Sequence, residues 1–233
     1  RKSARKYLRE IAADPGPRTL NVFRWFLRHF VWFRIYDGLE VDQRQMDRLR
    51  EAAAKGPLLL LPTHRSHVDY LLLSWIVAEY DTAPPCIAAG ANLSFFPIGG
   101  IFRRSGAFFI RRSFWKNRLY TACLTDYLRK ILAEGYNLEF FIEGTRSRTG
   151  KMYMPRIGLL KWIAEAAIAG RVRNVQVVPI AVAYEKVIEE RSISREVSGG
   201  KKKKEDLGEL LRAGRVLASR FGRLNLQVGE AYD

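Results

Sequence analysis

Two histidines, an arginine and an aspartate stand between two leucine runs in LLLLPTHRSHVDYLLLS, residues 58–74. His64 and Asp69 are five apart, about 500° around an ideal helix, or roughly 140° of offset. They do not share a helical face. They meet if His64 lies in the loop and Asp69 in the first helical turn, where the carboxylate orients the imidazole as a general base requires. Thr63, Arg65 or Ser66 would then sit at the helix start, where backbone N–H groups and the helix dipole favour an anion. Taken alone, H-x-x-x-x-D is better explained as a cap and a surface ion pair. His67 is a rival base. It stands two residues from Asp69 with no aspartate five beyond it, which points to packing or to shaping a pocket.

Two further clusters change the balance. GAFFIRR, residues 106–112, ends in Arg111 and Arg112. Strand side chains alternate, so only one of these arginines can enter a pocket on a given face unless the strand has already ended. FFIEGTRSRTGK, residues 140–151, sets Glu143 and Gly144 at a turn. Hydroxyls follow at Thr145, Ser147 and Thr149, and cations at Arg146, Arg148 and Lys151. Guanidinium forks match phosphate oxygens in pairs, and lysine adds a point charge. A plain basic loop does not explain a glutamate at its root. Nor is this a Walker loop, because Met152 stands where that motif needs a hydroxyl.

These clusters need supports. Strands are expected at 58–62, 85–90, 107–112, 138–144, 175–184 and 224–230, with Pro179 demoting the fifth to an edge or a bulge. Helices are expected at 3–13, 20–36, 43–55, 66–80, 116–134, 156–170 and 205–221, with a short one between 94 and 106. The alternation predicts an α/β fold: a single mixed, mostly parallel central sheet flanked by helices. All three clusters follow strands, and open α/β sheets bind ligands beyond the carboxyl ends of their strands. That convergence is the functional signal. Residues 1–55 read as an N-terminal helical region and 56–233 as a catalytic domain, or the two as one continuous unit.

The segment 20–36, LNVFRWFLRHFVWFRIY, is dense in aromatics, with Arg24 and Arg28 on one stripe. It suits a helix lying in a membrane interface as well as one packed on the domain core. Its arginines argue against a span, and no run reaches spanning length. The chain carries a net charge of +16 with a pI near 10.1, which favours polyanions: nucleic acid, anionic headgroups, phosphorylated substrates or an acidic carrier protein. A nucleic-acid module would add a stacking platform or a reading helix, and neither is visible. The glycine-led basic run 198–206 reads as solvated. Cys86 and Cys123 lie in apolar segments and read as reduced core residues. No metal-ligand spacing occurs among the cysteines and histidines. The chain opens at Arg1, and the abrupt ends suggest part of a longer protein.

Together the clusters resemble the glycerolipid acyltransferase family, and more narrowly its glycerol-3-phosphate and dihydroxyacetone-phosphate acyltransferases. HRSHVDYLLLS resembles the first block with its H-x4-D pair, GAFFIRR the second, FFIEGTRSRTGK the third and VVPIAVAYE, residues 177–185, the fourth. The resemblance implies His64 as catalytic base and Asp69 as its partner. It implies that Arg111, Arg112, Glu143, Gly144, Thr145, Arg146, Ser147, Arg148 and Lys151 help bind a phosphorylated acceptor, and that Pro179 shapes the acyl-donor side. It implies transfer of a fatty acyl group from acyl-CoA or acyl carrier protein to the sn-1 hydroxyl of glycerol 3-phosphate, in phospholipid synthesis. The expected setting is the cytoplasmic face of a membrane with an anionic surface, with no cofactor, no metal and no nucleic acid. The alternatives are dihydroxyacetone phosphate or lysophosphatidate as acceptor, or a basic membrane- or nucleic-acid-binding module without chemistry.

Overall fold

The computed structural model describes residues 1–66, 68–95, 97–114, 116–147, 150–188 and 220–233. His67, Arg148, the basic run 198–206 and all but the last two residues of the expected helix 205–221 lie outside the described residues. In chain order the helices and strands begin with α1 (Lys2–Ile11) and α2 (Pro17–Phe26), which continues through a π-helical stretch into α3 (Phe33–Ile35). Then come β1 (Gly38–Val41), α4 (Gln43–Lys55), β2 (Leu58–Pro62), α5 (Asp69–Glu79) and β3 (Cys86–Gly90). They are followed by α6 (Ile98–Arg104), β4 (Ala107–Ile110), α7 (Arg118–Ala133) and β5 (Leu138–Glu139). The last are α8 (Gly158–Ile168), β6 (Gln176–Tyr184) and β7 (Arg223–Val228).

Local chemistry sets several boundaries. Pro17 opens α2, where its missing N–H costs nothing. The Asp42 carboxylate accepts from Arg44 N–H at 2.9 Å and caps α4. Asn117 caps α7 through Tyr120 N–H at 3.0 Å. Gly135, at φ +84°, closes the same helix.

Among the described residues seven strands form one sheet, in the order β1-β7-β6-β2-β5-β3-β4. Every neighbouring pair is parallel except β6 with β7. The carboxyl ends of β2, β3, β4, β5 and β6 therefore share one edge. Leu58, Leu59 and Leu60 are fully buried, as a central strand covered on both faces must be. Leu58 and Leu60 face a core built with α4, α5, the Leu27–Tyr36 segment, β6 and β7. Leu59 faces the other core, with α1, α7 and α8. Residues 1–55 are built into both cores, and β1 is an edge strand of the same sheet.

Several sequence expectations need correction. The strand carrying Pro179 is interior, not an edge: β6 lies between β2 and β7. Proline is tolerated there because its missing N–H would point toward β7 where that strand ends, and only its carbonyl is used, accepting from Gly229 N–H at 2.9 Å. Gly229 leaves room for the ring, since a Cβ there would stand 2.8 Å from Pro179 Cγ. β5 is shorter than expected, because the Gly144 N–H turns back to the Phe141 carbonyl at 2.9 Å and takes the chain off the sheet. β4 stops at Ile110, and the Arg111 N–H goes to the Tyr120 hydroxyl at 3.1 Å instead of a strand. β1 was not anticipated at all. Its partner residues lie far along the chain, Gly38 beside Arg223.

The aromatic N-terminal segment packs inward through Leu27, Trp32, Ile35 and Tyr36. Arg24 and Arg28 bind Glu79, at 3.6 and 3.2 Å. Val22, Trp25 and Phe26 remain exposed. Among the described residues no helix is long and apolar enough to cross a membrane.

Asn137 ties three strands together at the amino edge. Its Oδ1 accepts from Leu58 N–H at 2.8 Å and its amide donates to the Ala83 carbonyl at 2.7 Å. Truncation leaves the buried Leu58 N–H unsatisfied and removes the bond to the Ala83 carbonyl. Asn137→Ala is expected to lower unfolding stability by about 2–3 kcal/mol in urea titrations, without altering the geometry of the opposite edge.

Candidate active site

The carboxyl edge of β2 runs directly into the first cluster. Thr63 continues the ladder, its N–H bonding the Ile180 carbonyl at 2.9 Å, and its Oγ1 accepts from Val182 N–H at 3.1 Å. His64 then leaves the sheet, and Asp69 opens α5. His64 Nδ1 lies 2.9 Å from Asp69 Oδ2. Opposite a carboxylate, Nδ1 carries the proton, so Nε2 is the nitrogen with a lone pair to accept another. The imidazole stacks on Phe141, with centroids 4.0 Å apart and 25° between planes. The ring is therefore held through Nδ1 and along one face.

Asp69 is fully buried. Its Oδ2 also accepts from the backbone N–H groups of Arg65, at 2.6 Å, and Ser66, at 2.9 Å. Its Oδ1 accepts from the Tyr184 hydroxyl. The anion at this helix start is thus Asp69 itself. The amides of Arg65 and Ser66, expected to favour a ligand anion, are taken up by the protein's own carboxylate.

Glu143 organises the neighbouring loop. Its Oε1 accepts from His64 N–H at 2.9 Å, and its Oε2 from Tyr153 N–H at 2.8 Å. Arg65 lies 3.9 Å from the same carboxylate. With 2% exposure and both oxygens engaged, Glu143 positions the loops. Ser147 N–H donates to the His64 carbonyl at 2.8 Å, and Ser147 Oγ to the Lys151 carbonyl at 2.5 Å. That carbonyl also accepts from Arg65 at 3.1 Å. Gly144 adopts φ +66°, and a Cβ there would meet Arg156 Cδ at 2.7 Å. Glycine thus provides both the turn and a passage for the Arg156 stem. Arg146 is buried, whereas Thr145 and Lys151 are exposed.

The structure gathers His64, Asp69, Glu143, Gly144, Ser147 and Lys151 around one strand edge, with Arg146 on the same loop. It does not bring Arg111 or Pro179 to them. Arg111 turns to the face covered by α1 and α7. There its guanidinium grips Glu10 at 2.6 and 2.7 Å and lies over the Tyr7 and Tyr120 rings. The dyad lies on the face covered by α5. Pro179 alternates with Val178 and Ile180, which enter the α5-side core, so it lies on the other side. Arg112 is exposed.

Sequence reasoning missed Tyr184, Phe141, Arg156 and Glu139. Only Glu139 carried a local signal, an acid inside an apolar strand.

Residues 38–183 match the family model described as Acyltransferase. The chain is 43% identical over 228 residues to the glycerol-3-phosphate acyltransferase of Pasteurella multocida (strain Pm70), covering 97% of this chain and 28% of that protein. With the enzyme of the same name from Histophilus somni (strain 129Pt), identity is 44% over 218 residues, 93% of this chain and 26% of that one. The chain thus spans less than a third of the length of these curated relatives. Among solved structures, the 1-acyl-sn-glycerophosphate (LPA) acyltransferase PlsC from Thermotoga maritima aligns with a TM-score of 0.53 at 18% identity. That alignment covers 92% of this chain and 68% of that one, and the likeness is one of fold.

Glu139 sits beside Leu60 and Ile87 in the sheet, fully buried, with no hydrogen-bond partner among the described residues for either carboxyl oxygen. Burial, and then the nearby Asp69 charge, hold its carboxyl well above the ordinary value of 4.5. Above that value the unfolded chain has lost this proton and the folded one has kept it, so stability falls as pH rises toward the folded value. The slope is about 1.4 kcal/mol per pH unit. Glu139→Gln removes the slope. Its melting temperature relative to the parent is expected to climb from pH 5 to pH 8, and a constant difference contradicts the assignment.

Proposed function

This chain belongs to the acyltransferase family, and from that premise we propose that it carries the acyl-transfer centre of a glycerol-3-phosphate acyltransferase. The observation that carries the reading is the fixed imidazole: His64 Nδ1 held by Asp69 at 2.9 Å, with Nε2 the proton-accepting nitrogen at the carboxyl edge of a parallel sheet. The names of the long relatives support the acceptor.

His64 Nε2 takes the proton of the sn-1 hydroxyl as that oxygen attacks the thioester carbonyl carbon. Asp69 stabilises the imidazolium that forms, and its remaining donors keep it from swinging away. The tetrahedral intermediate collapses, the C–S bond breaks, and the thiolate takes a proton from the imidazolium. The products are 1-acylglycerol 3-phosphate and free thiol, and no acyl-enzyme is required. The phosphate is held by cations of the 143–151 loop, with Arg146 and Lys151 as the principal candidates. This loop is tied to His64 by the Ser147 N–H, so gripping the phosphate positions the hydroxyl. Arg156, lying over Gly144, adds a cation that the motifs did not indicate.

The donor in this proposal is acyl-CoA or acyl carrier protein, both acidic, which fits the +16 charge. No cofactor enters the chemistry. The proposed setting is the cytoplasmic face of a membrane, where the exposed Val22, Trp25 and Phe26 supply an apolar face on α2. Among the described residues no stacking platform or reading helix favours nucleic acid over this reading.

Release of free thiol from acyl-CoA on adding glycerol 3-phosphate tests the reading directly. His64→Ala is expected to lower kcat by about 10²–10⁴-fold, with acceptor binding retained. An unchanged kcat removes the mechanism. Arg146→Ala is expected to raise the KM for glycerol 3-phosphate about tenfold or more, equivalent to at least ~1.4 kcal/mol. A change confined to the KM of the acyl donor contradicts the role given to the loop.

A further inference from the structure

Seven consecutive residues, Lys151 to Ile157, are exposed. Four of them are apolar or aromatic: Met152 at 67%, Tyr153 at 42%, Met154 at 86% and Ile157 at 58% exposure. Isolated apolar residues on a surface need no explanation, but a contiguous group marks an interaction site. This group is not on a loosely held loop. Its backbone is pinned to the active-site edge at three places. The Lys151 carbonyl accepts from Arg65 and Ser147. The Tyr153 N–H donates to Glu143 at 2.8 Å. The Arg156 N–H donates to the Ile142 carbonyl at 2.7 Å. The side chains are thus held out into water by a backbone fixed to the same carboxylate that fixes the His64 loop.

The shape and charge of the segment select the occupant. A segment exposed at every position encloses nothing, whereas a single acyl chain is held in a concave site. The flanking charges are Lys151 and Arg156 within the loop and Lys161 in the first turn of α8, with Glu165 one turn further on. An exposed apolar segment flanked by cations fits a surface that is soft, apolar just below and anionic at the top. We propose that residues 151–157 form a membrane-insertion loop that seats the His64 edge of the sheet on an anionic lipid bilayer. This deepens the acyltransferase reading and rests on it, since it brings the dyad to the plane into which a lipid product must pass.

Sedimentation with phosphatidylcholine vesicles containing about one-third phosphatidylglycerol tests the loop without reference to catalysis. The combined variant Met152→Ser, Met154→Ser, Ile157→Ser is expected to lower partitioning into these vesicles about tenfold or more. Its thiol release from a short-chain, soluble acyl donor should match the parent. Partitioning equal to the parent overturns the proposal, and so does unchanged partitioning with a raised KM for long-chain donors, which assigns the loop to the donor chain.

A second measurement separates this loop from the exposed face of α2. Met154→Cys can be labelled selectively with a polarity-sensitive fluorophore, because Cys86 and Cys123 are buried and burial pushes the Cys86 thiol up to about 11. A blue shift on adding the anionic vesicles is expected. A probe that stays in water while the protein sediments overturns the assignment. His64→Ala should bind vesicles like the parent. Absence of acyl transfer together with loop-dependent partitioning therefore counts against the catalytic reading and leaves the loop standing.

Discussion

One buried carboxylate governs the geometry of this site. Asp69 lies beneath the surface with no solvent contact, and an anion so placed is tolerated only if donors surround it. Four do: the His64 ring, the Arg65 and Ser66 amides, and the Tyr184 hydroxyl. Each donor comes at a structural cost that the fold must meet. The amides require the 64–66 loop to curl over the start of α5. The hydroxyl requires β6 to run past its last pairing with β2, at Ile180, as far as Tyr184. The imidazole is the one member with a second nitrogen to use elsewhere. The need to satisfy a buried charge and the need to orient a base are therefore the same constraint.

Glu143 repeats the principle one strand away. It receives the His64 amide and the Tyr153 amide, and so sets the loop after β2 against the loop after β5. Its neighbour Gly144 lets the chain turn and lets Arg156 pass over it. The result is a cationic loop tied through its backbone to the base. Arg111 shows the other side of this economy. It belongs to a motif that suggests ligand binding, yet here it anchors α1 through Glu10 on the opposite face of the sheet. Glu139 is different again. Among the described residues it has no hydrogen-bond partner, and it loads the fold with a proton it must keep.

The fold was legible where local pattern and tertiary demand agree. The run Leu58–Leu60 reads as a doubly covered strand and is one. The polar helix at 43–55, with Asp42 ahead of it, matches α4 to the residue. Reading failed where distant partners decide. β1 exists because β7, far along the chain, offers it an edge. The position of β6 inside the sheet follows from β7 returning antiparallel beside it, which no proline rule can foresee. The dyad was legible only with the other two clusters beside it, since its spacing alone reads as a cap and a surface ion pair. Tyr184 was not, because its link to Asp69 spans 115 positions and depends on the register of β6 against β2.

By itself the sequence determined which groups are present and which short segments hold them: an imidazole and a carboxylate five apart after an apolar strand, a glutamate-rooted basic loop, and an alternation of strands and helices. Those are properties of nearest neighbours in the chain. Only the tertiary structure decided which groups share a face. Side chains alternate across a sheet, so whether an arginine meets the imidazole or lies behind it depends on strand order and register. Both are set by contacts between residues remote in sequence, and that is why Ser147 came to the base while Arg111 turned to Glu10.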